Sequence, residues 1–505
     1  MTGELMFALF CLLFYIFYRY LTDKPHPKFP PGPLRWPIWG AYLQLLVENY
    51  RFPYKAMHWI ARRYKTEVLG MYLGPFPTVV ACSSASVREL LIRPEFQGRV
   101  EGFIPQIRDD DGVIRGQFFI DGSPWTEQRR FMLRYLRDFG WGTRSKSFEK
   151  IVEEEVRDFL DLVQSKVEGV SDERGVLVPS AFYAFFLNLT MQLLLGCRFP
   201  PPLHHKLREF AFTALRFQLR IDPTTGMINL TPWVRHIAPR LSGFIDCVRS
   251  NRLIKQFIQE HVQHHKDTYL PEALRDFCDI YLKQMKEKQE SGTQHWFSEQ
   301  QLVMMCWDLL FPTSMTVTAT MGFAVEFLLL NPEVQLKIQE EIDRVIGRSR
   351  LPNLDDRKLM PYTEAVLREV MRAEALVPLA LPHRCTQDTY FYGHFIPKDT
   401  MMLANIWSSN MDEKIWDKPF EFSPERHLDA NGQLKKKDLS LPFGLGKRVC
   451  SAETFARQNL FLLFSAMMQH FTLLLPCDQP PPDPNLHLPG INISPPQFRV
   501  LMVPR

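Results

Sequence analysis

Phe443-Gly444-Leu445-Gly446-Lys447-Arg448-Val449-Cys450-Ser451-Ala452 is the most informative stretch of the chain. Gly444 and Gly446 permit tight backbone turns that other residues resist. From Ala452 to Leu473 the apolar residues recur with helical period, so Cys450 would stand at a helix N-terminus. There, backbone N–H groups and the helix dipole favour thiolate over thiol. An isolated cysteine in a glycine turn is ordinarily structural, but this one sits in a patterned run.

The run resembles the cysteine-loop signature of the cytochrome P-450 family, Phe-x-x-Gly-x-Arg-x-Cys-x-Gly/Ala, with Phe443, Gly446, Arg448, Cys450 and Ala452 in register. The resemblance implies that Cys450 is the axial ligand of a haem b iron (iron protoporphyrin IX) and that Arg448 pairs with a propionate. Upstream elements follow the family's order. Glu369-Val370-Met371-Arg372 matches its Glu-x-x-Arg, with Glu369 expected to bridge Arg372 and Arg426 behind the haem. Trp125 and Arg129 match its Trp-x-x-x-Arg; as i, i+4 neighbours after Ser123-Pro124 they can converge on one carboxylate. His383 matches a propionate-facing position, and Arg99 is a further propionate candidate.

One segment departs from the pattern. The family's Ala-Gly-x-Glu/Asp-Thr-Thr/Ser falls on Pro312-Thr313-Ser314-Met315-Thr316-Val317, where only the first threonine, Thr316, is kept. By resemblance Thr316 serves oxygen activation, while Met315 cannot carry a proton. Glutamate at position 315 would then be expected to restore one. Pro312 should kink the helix and free the Asp308 carbonyl. Thr313 and Ser314 add hydroxyls that either hold water or, more commonly, bond back to helix carbonyls.

The chain has 505 residues, 46% hydrophobic and 23% charged, enough to bury a large core. Residues from Trp125 to Cys450 must meet at one cofactor, so residues 41–505 read as a single catalytic haem domain. The cysteines are scattered, odd in number and without zinc-like spacing, which fits reduced thiols on a cytosolic face. Residues 1–21 read as an N-terminal signal-anchor helix: Leu5 to Tyr18 carries no charge, and 17 residues of helix span about 25 Å. The stretch Arg19 to Lys24 offers no small-x-small cleavage site, and Arg19, Lys24, Lys28 and Arg35 after the span place the bulk of the chain in the cytosol. Residues 22–40 form a basic linker and a Pro-rich hinge at Pro30-Pro31-Gly32-Pro33, similar to the family's microsomal type.

The fold class is mainly α with small β-sheets. Helices are expected over Phe148 to Val167, Ala181 to Leu195, Leu207 to Leu219, Phe244 to His264, Ser298 to Leu330, Pro332 to Ile346 and Tyr362 to Arg372. Thr78-Val79-Val80 and Tyr390-Phe391 read as strands, and polar Met285 to Gln294 as a surface loop.

By resemblance, the substrate pocket would be lined by the Phe103 to Phe119 loop, Phe217, Asp308, Pro312, Val377, Leu381 and Ile491. These largely apolar segments suit a lipophilic small molecule such as a sterol, fatty acid, terpenoid or xenobiotic. Arg216 and Arg220 either recognise an acidic group or face solvent. The net charge of +4 gives no case for nucleic acid. A local set, Arg130, Arg134, Arg137, Lys447 and Lys435-Lys436-Lys437, would form a face for an acidic redox partner.

The resemblance thus implies a haem-thiolate monooxygenase in the endoplasmic reticulum membrane. NADPH-cytochrome reductase would feed it electrons, with a small haem electron-transfer protein as a second donor. The alternative is a haem-thiolate isomerase or dehydratase acting on a peroxide without O2 or reductase, for which Met315 speaks. A non-catalytic haem or lipid carrier is a third class.

Overall fold

The computed structural model describes residues 26–505 apart from 166, 168, 169 and 222–226, together with residues 6, 7, 10, 11, 14, 15, 17 and 18. The principal helices, in chain order, are α1 (Pro53–Arg63), α2 (Ser84–Ile92), α3 (Gly122–Asp138), α4 (Lys146–Gln164), α5 (Tyr183–Leu195), α6 (His204–Gln218) and α7 (Phe244–Asp267). They continue with α8 (Phe277–Ser291), α9 (Glu299–Pro312), α10 (Thr318–Leu330), α11 (Pro332–Val345), α12 (Pro361–Ala373) and α13 (Glu453–His470). The architecture is mainly α with small sheets.

Strands β1 (Val68–Leu73), β2 (Phe76–Ala81), β3 (Gly98–Arg99), β5 (His383–Arg384) and β6 (Met401–Ala404) make a sheet of order β1-β2-β6-β5-β3. Its β2–β6 pair is parallel, with Val79 opposite Met402. A second sheet joins β4 (Gly175–Val178), β7 (Phe471–Leu474) and β8 (Phe498–Pro504), β8 lying between the other two. Tyr390 and Phe391 lie in a separate two-stranded ribbon.

The core runs along α9 and α10. The helical stretch Glu299–Leu330 is the one among the described residues long and apolar enough to cross a membrane, yet 83% of its most apolar window is buried inside the protein. It is a core helix clad by α5, α7 and α12. At its middle, Thr313–Val317 widens into a π-turn directly after Pro312. The expected kink is therefore a local widening, because a proline without an N–H breaks the regular ladder and the chain re-forms it one residue longer.

Two sequence expectations are corrected. Met285 to Gln294 is a loop only over its last three residues: α8 runs to Ser291 and ends at Gly292, a left-handed C-cap at φ +61. Its Lys, Glu and Gln residues are good helix formers, and buried Phe277, Cys278, Tyr281 and Leu282 fasten the preceding turns. The run after Ala452 is helical only to His470; Phe471–Leu474 pairs with β8. The anchor expectation falls largely outside the described residues. Those described there are helical, and Met6, Phe7, Phe10, Phe14 and Tyr15 are exposed.

Candidate functional site

The Cys450 loop is built by two left-handed glycines. Gly444 (φ +72) closes a turn in which its N–H donates to Leu441 O at 3.1 Å. Gly446 (φ +73) passes so close to the end of α2 that a Cβ would stand 2.4 Å from Leu91 O. Val449 N–H then donates to Gly446 O and Cys450 N–H to Phe443 O at 2.9 Å, turning the sulfur off the N-terminal end of α13, which starts at Glu453. Burial pushes the Cys450 thiol up, while the Ala452 N–H and the Arg129 guanidinium pull it toward thiolate. Cys450 nonetheless keeps exposed surface.

Around this loop the structure gathers Arg448, Arg129, Arg99, Trp125 and His383. Arg448 lies over the Trp125 ring at 4.0 Å and donates to Gln97 O and Ile120 O. Arg129 donates to Val449 O at 2.5 Å, with its guanidinium 5.9 Å from the Trp125 centroid. Arg99 donates to Leu381 O and Pro382 O at 2.9 and 3.2 Å. The pairing of β3 with β5 sets Arg99 directly opposite His383, whose Nδ1 donates to Phe96 O.

Burial lowers Arg448 to about 10 and holds Arg99 well below its usual value, with Arg448 next in pushing Arg99 down. His383 is likewise held well below the imidazole range by burial and then Arg99, so it is neutral. Asp121 accepts from Arg99 N–H and from Arg384.

These residues fit a haem. Arg448 Nη1 and Arg99 Nε are buried without a partner among the described residues, and a cationic cluster short of carboxylate matches the two propionates of the porphyrin. The donor set also offers one sulfur aimed from a helix N-terminus, as a thiolate ligand requires. Phe443 is half-buried, with the Arg457 guanidinium 4.8 Å from its ring.

On α9 and α10, Pro312 and Thr316 are the two positions from Gln301 to Glu326 that are not buried, and they share one face. Thr316 Oγ1 donates to Pro312 O at 3.0 Å, Thr313 Oγ1 to Leu309 O and Ser314 Oγ to Phe311 O, so all three hydroxyls bond back to the helix. Met315 points the other way, into a small apolar pocket with Tyr183, Leu215 and Thr318.

The pocket residues divide. Phe103, Val377, Leu381 and Ile491 are partly exposed; Phe217 is fully buried, edge-on to Trp307 and Phe311. Asp308 is not a free pocket group. Its carboxylate is buried in an ion pair with Arg108 and accepts from the N–H groups of Gln117 (2.5 Å) and Phe118 (2.9 Å). Sequence reading missed Arg108, although a lone acid within an apolar helix signals a buried counter-ion. Arg216 and Arg220 are exposed, Arg220 paired with Asp246 at 3.0 Å.

Behind the loop, Glu369 binds Arg372 through both oxygens (2.7 and 2.8 Å), Arg426 Nε at 3.0 Å, His427 Nε2 at 2.9 Å and Ser423 N–H at 3.0 Å. Those partners outweigh its burial and hold the carboxyl at about 2. His427 and Ser423 are additions that spacing could not show. Two acid-histidine groups with metal-like spacing, Glu155-Asp158-His204 and His265-Asp276-Asp279, are engaged by Arg198 and Arg275 respectively.

The family model for cytochrome P450 matches residues 30–502. The chain is 32% identical over 503 residues to farnesoate epoxidase of Bombyx mori, covering 99% of each protein. It is 34% identical over 488 residues to cytochrome P450 2B19 of Mus musculus and 33% over 491 residues to cytochrome P450 2B4 of Oryctolagus cuniculus, with 95% of each chain covered.

Proposed function

Since the chain belongs to the cytochrome P450 family and is a haem monooxygenase served by a redox partner and acting on a hydrophobic substrate, we propose the finer assignments that follow. The cofactor is haem b, held by Cys450 as axial ligand, with Arg448, Arg99, Arg129, Trp125 and His383 on its propionates. When bound, it supplies the activation of O2 and the transfer of one oxygen atom to substrate. The observation that carries this reading is the convergence of unpartnered Arg448 and Arg99 N–H groups beside the Cys450 loop.

The chain's own contributions can be assigned. The Ala452 N–H and Arg129 stabilise negative charge on Cys450 Sγ. Neutral His383, its one N–H given to Phe96 O, adds no fourth positive charge beside the three arginines. Thr316 Oγ1, anchored through its proton to Pro312 O, turns its lone pairs to the open face and accepts a proton donor there. Apolar Phe103, Val377 and Leu381 exclude water from that face.

The substrate is a lipophilic small molecule, and likeness to a protein named farnesoate epoxidase supports a terpenoid. Electrons come from NADPH-cytochrome reductase, with a small haem electron-transfer protein as alternate donor. Arg130, Arg134, Lys435, Lys436, Lys437 and Lys447 are exposed, and Arg129 joins α3 to the Cys450 loop; these features support docking on that side. Residues 1–21 anchor the chain in the endoplasmic reticulum membrane, ahead of the linker and of a catalytic domain spanning 41–505.

The test compares NADPH-plus-reductase turnover with peroxide-dependent turnover on one panel of terpenoids, sterols and fatty acids. Reductase-dependent oxygenation supports the assignment. Peroxide rearrangement without reductase would favour the isomerase instead, and binding without turnover a carrier.

A further inference from the structure

His265 lies in the last turn of α7 and Asp276 is the N-cap of α8, so the two residues stand at either side of the turn that joins these helices. Both side chains are shut in, at 2% and 1% exposure. His265 Nε2 is 2.7 Å from Asp276 Oδ2, and its Nδ1 is 2.8 Å from the carbonyl oxygen of His261, one helical turn back. Carbonyl and carboxylate oxygens only accept, so the ring satisfies both contacts when each of its nitrogens carries a proton. The geometry calls for an imidazolium facing a carboxylate, each at the helix end that favours its charge.

The surroundings hold the pair in place. Asp276 Oδ1 accepts from Asp279 N–H at 3.1 Å and so caps α8. Gly196, the left-handed C-cap of α5, leaves the slot that the carboxylate fills: a Cβ there would stand 2.6 Å from Asp276 Oδ2. The same α7 braces the Phe103 to Phe119 loop through Asn251 and Lys255, so the pair fastens the far end of the helix on which that loop leans.

Other charges nearby are committed elsewhere. Arg275 binds Asp279 through both carboxylate oxygens, at 2.6 and 2.8 Å, and Lys266 is paired with Glu299 at 2.6 Å. On α7 itself, His261 Nδ1 lies 2.7 Å from Phe257 O and His264 is exposed. Cys197 after α5, Cys278 on α8 and Cys306 on α9 face Asp276 as thiols that burial pushes up, so they stay uncharged through neutral pH.

We propose that His265 and Asp276 form a proton-operated clasp on the turn between α7 and α8: the imidazolium holds it shut, and loss of its proton sets a ring lone pair against the carboxylate and opens it.

The sign follows from the partners. Burial lowers the His265 value, but the Asp276 carboxylate outweighs it, with His261 O and Asp279 adding, so the closed clasp holds the ring above the usual imidazole range. A hydrated histidine in the open turn has the ordinary value of about 6.5. The contribution of the clasp is therefore fully present below about 6.5 and is lost as pH rises through the raised value, because opening releases a proton.

The test is hydrogen exchange of backbone amides on the haem-loaded full-length protein, corrected for intrinsic pH dependence, followed in residues 264–276 between about pH 5.5 and 9. Protection there should be level up to about pH 6.5 and then fall roughly tenfold per pH unit, the slope of one released proton. Asp276→Asn keeps an oxygen to cap α8 and offers an N–H to the neutral ring, so its profile should be flat, with haem content and α4 exchange unchanged. His265→Gln, whose amide can donate to Asp276 at any pH, keeps the test open if the first variant misfolds and should also be flat. A flat corrected profile in the wild-type protein, or a slope that survives in either folded variant, overturns the clasp.

Discussion

Arg108 and Asp308 form an ion pair shut off from solvent: their side chains are 2% and 0% exposed, with Arg108 stacked over Trp307 at 4.2 Å. The pair ties the Phe103 to Phe119 loop to α9. Gln301 fastens the same loop by accepting from Gly116 N–H and donating to Gly116 O. Asn251 and Lys255 hold it from α7. Gly116 sits at φ +91, and a Cβ there would come 2.3 Å from Asp308 Oδ2.

Gly116→Ala should therefore loosen the loop by ~2 kcal/mol or more, through left-handed strain and the clash with Asp308. Asp308→Asn should cost about 3–5 kcal/mol by leaving Arg108 buried without a counter-ion. Thermal unfolding of the holoprotein measures both, and limited proteolysis should place the first cut within residues 103–119. An unchanged melting temperature in both variants would show that the loop is held by other contacts.

Glu369 gives the protein an acid limit. Its folded value of about 2 lies below the ordinary carboxyl value, so its contribution is present above pH ~4.5 and is lost as pH falls through about 2. That gap corresponds to about 3 kcal/mol. Glu369→Gln should remove this acid-dependent part and leave fully buried Arg372 without its partner, so haem loss at neutral pH should accelerate. Stability curves between pH 2 and 7 for the two proteins check the point.

The position of Met315 reverses an expectation drawn from sequence. Glutamate there would enter the apolar contact with Tyr183 and Leu215, not the face of Thr316. Met315→Glu should accordingly destabilise the fold by several kcal/mol and not improve coupling. Thr316→Ala, on the open face, should retain haem and stability while diverting NADPH electrons to hydrogen peroxide. The ratio of product to NADPH consumed, read beside peroxide release, separates the two positions.

Deleting residues 1–28 should release much of the protein from membranes with haem still bound, because every residue gathered around Cys450 lies beyond the linker. Sedimentation with liposomes and the haem-to-protein ratio measure this. Some affinity should persist through exposed Leu34, Trp36, Trp233 and Ile237. Loss of haem on deletion would contradict independent folding of the catalytic domain.

What was legible in the sequence was whatever local spacing encodes. Gly444, Gly446 and Cys450 define their loop within seven residues, and Glu369 with Arg372 shares a helix face. The remainder depends on contacts between distant segments. Nothing near Arg99 reveals that β3 will set it opposite His383, and nothing near Arg108 names Asp308 as its partner two hundred residues on. Met315 shows a further limit: register gave its place in the motif, but the π-turn decides which side chains face the open interior. The polar run to Gln294 misled because helix propensity and a buried preceding turn outweighed its lack of apolar period.

Thiolate ligation by Cys450 is the claim on which the account rests, and the carbon monoxide difference spectrum of the reduced holoprotein tests it most directly. The wild-type protein should show the red-shifted ferrous-CO band that a thiolate ligand produces, and Cys450→Ser should lose that band, in a preparation whose far-ultraviolet circular dichroism is unchanged. A red-shifted band of undiminished intensity in Cys450→Ser would contradict the assignment.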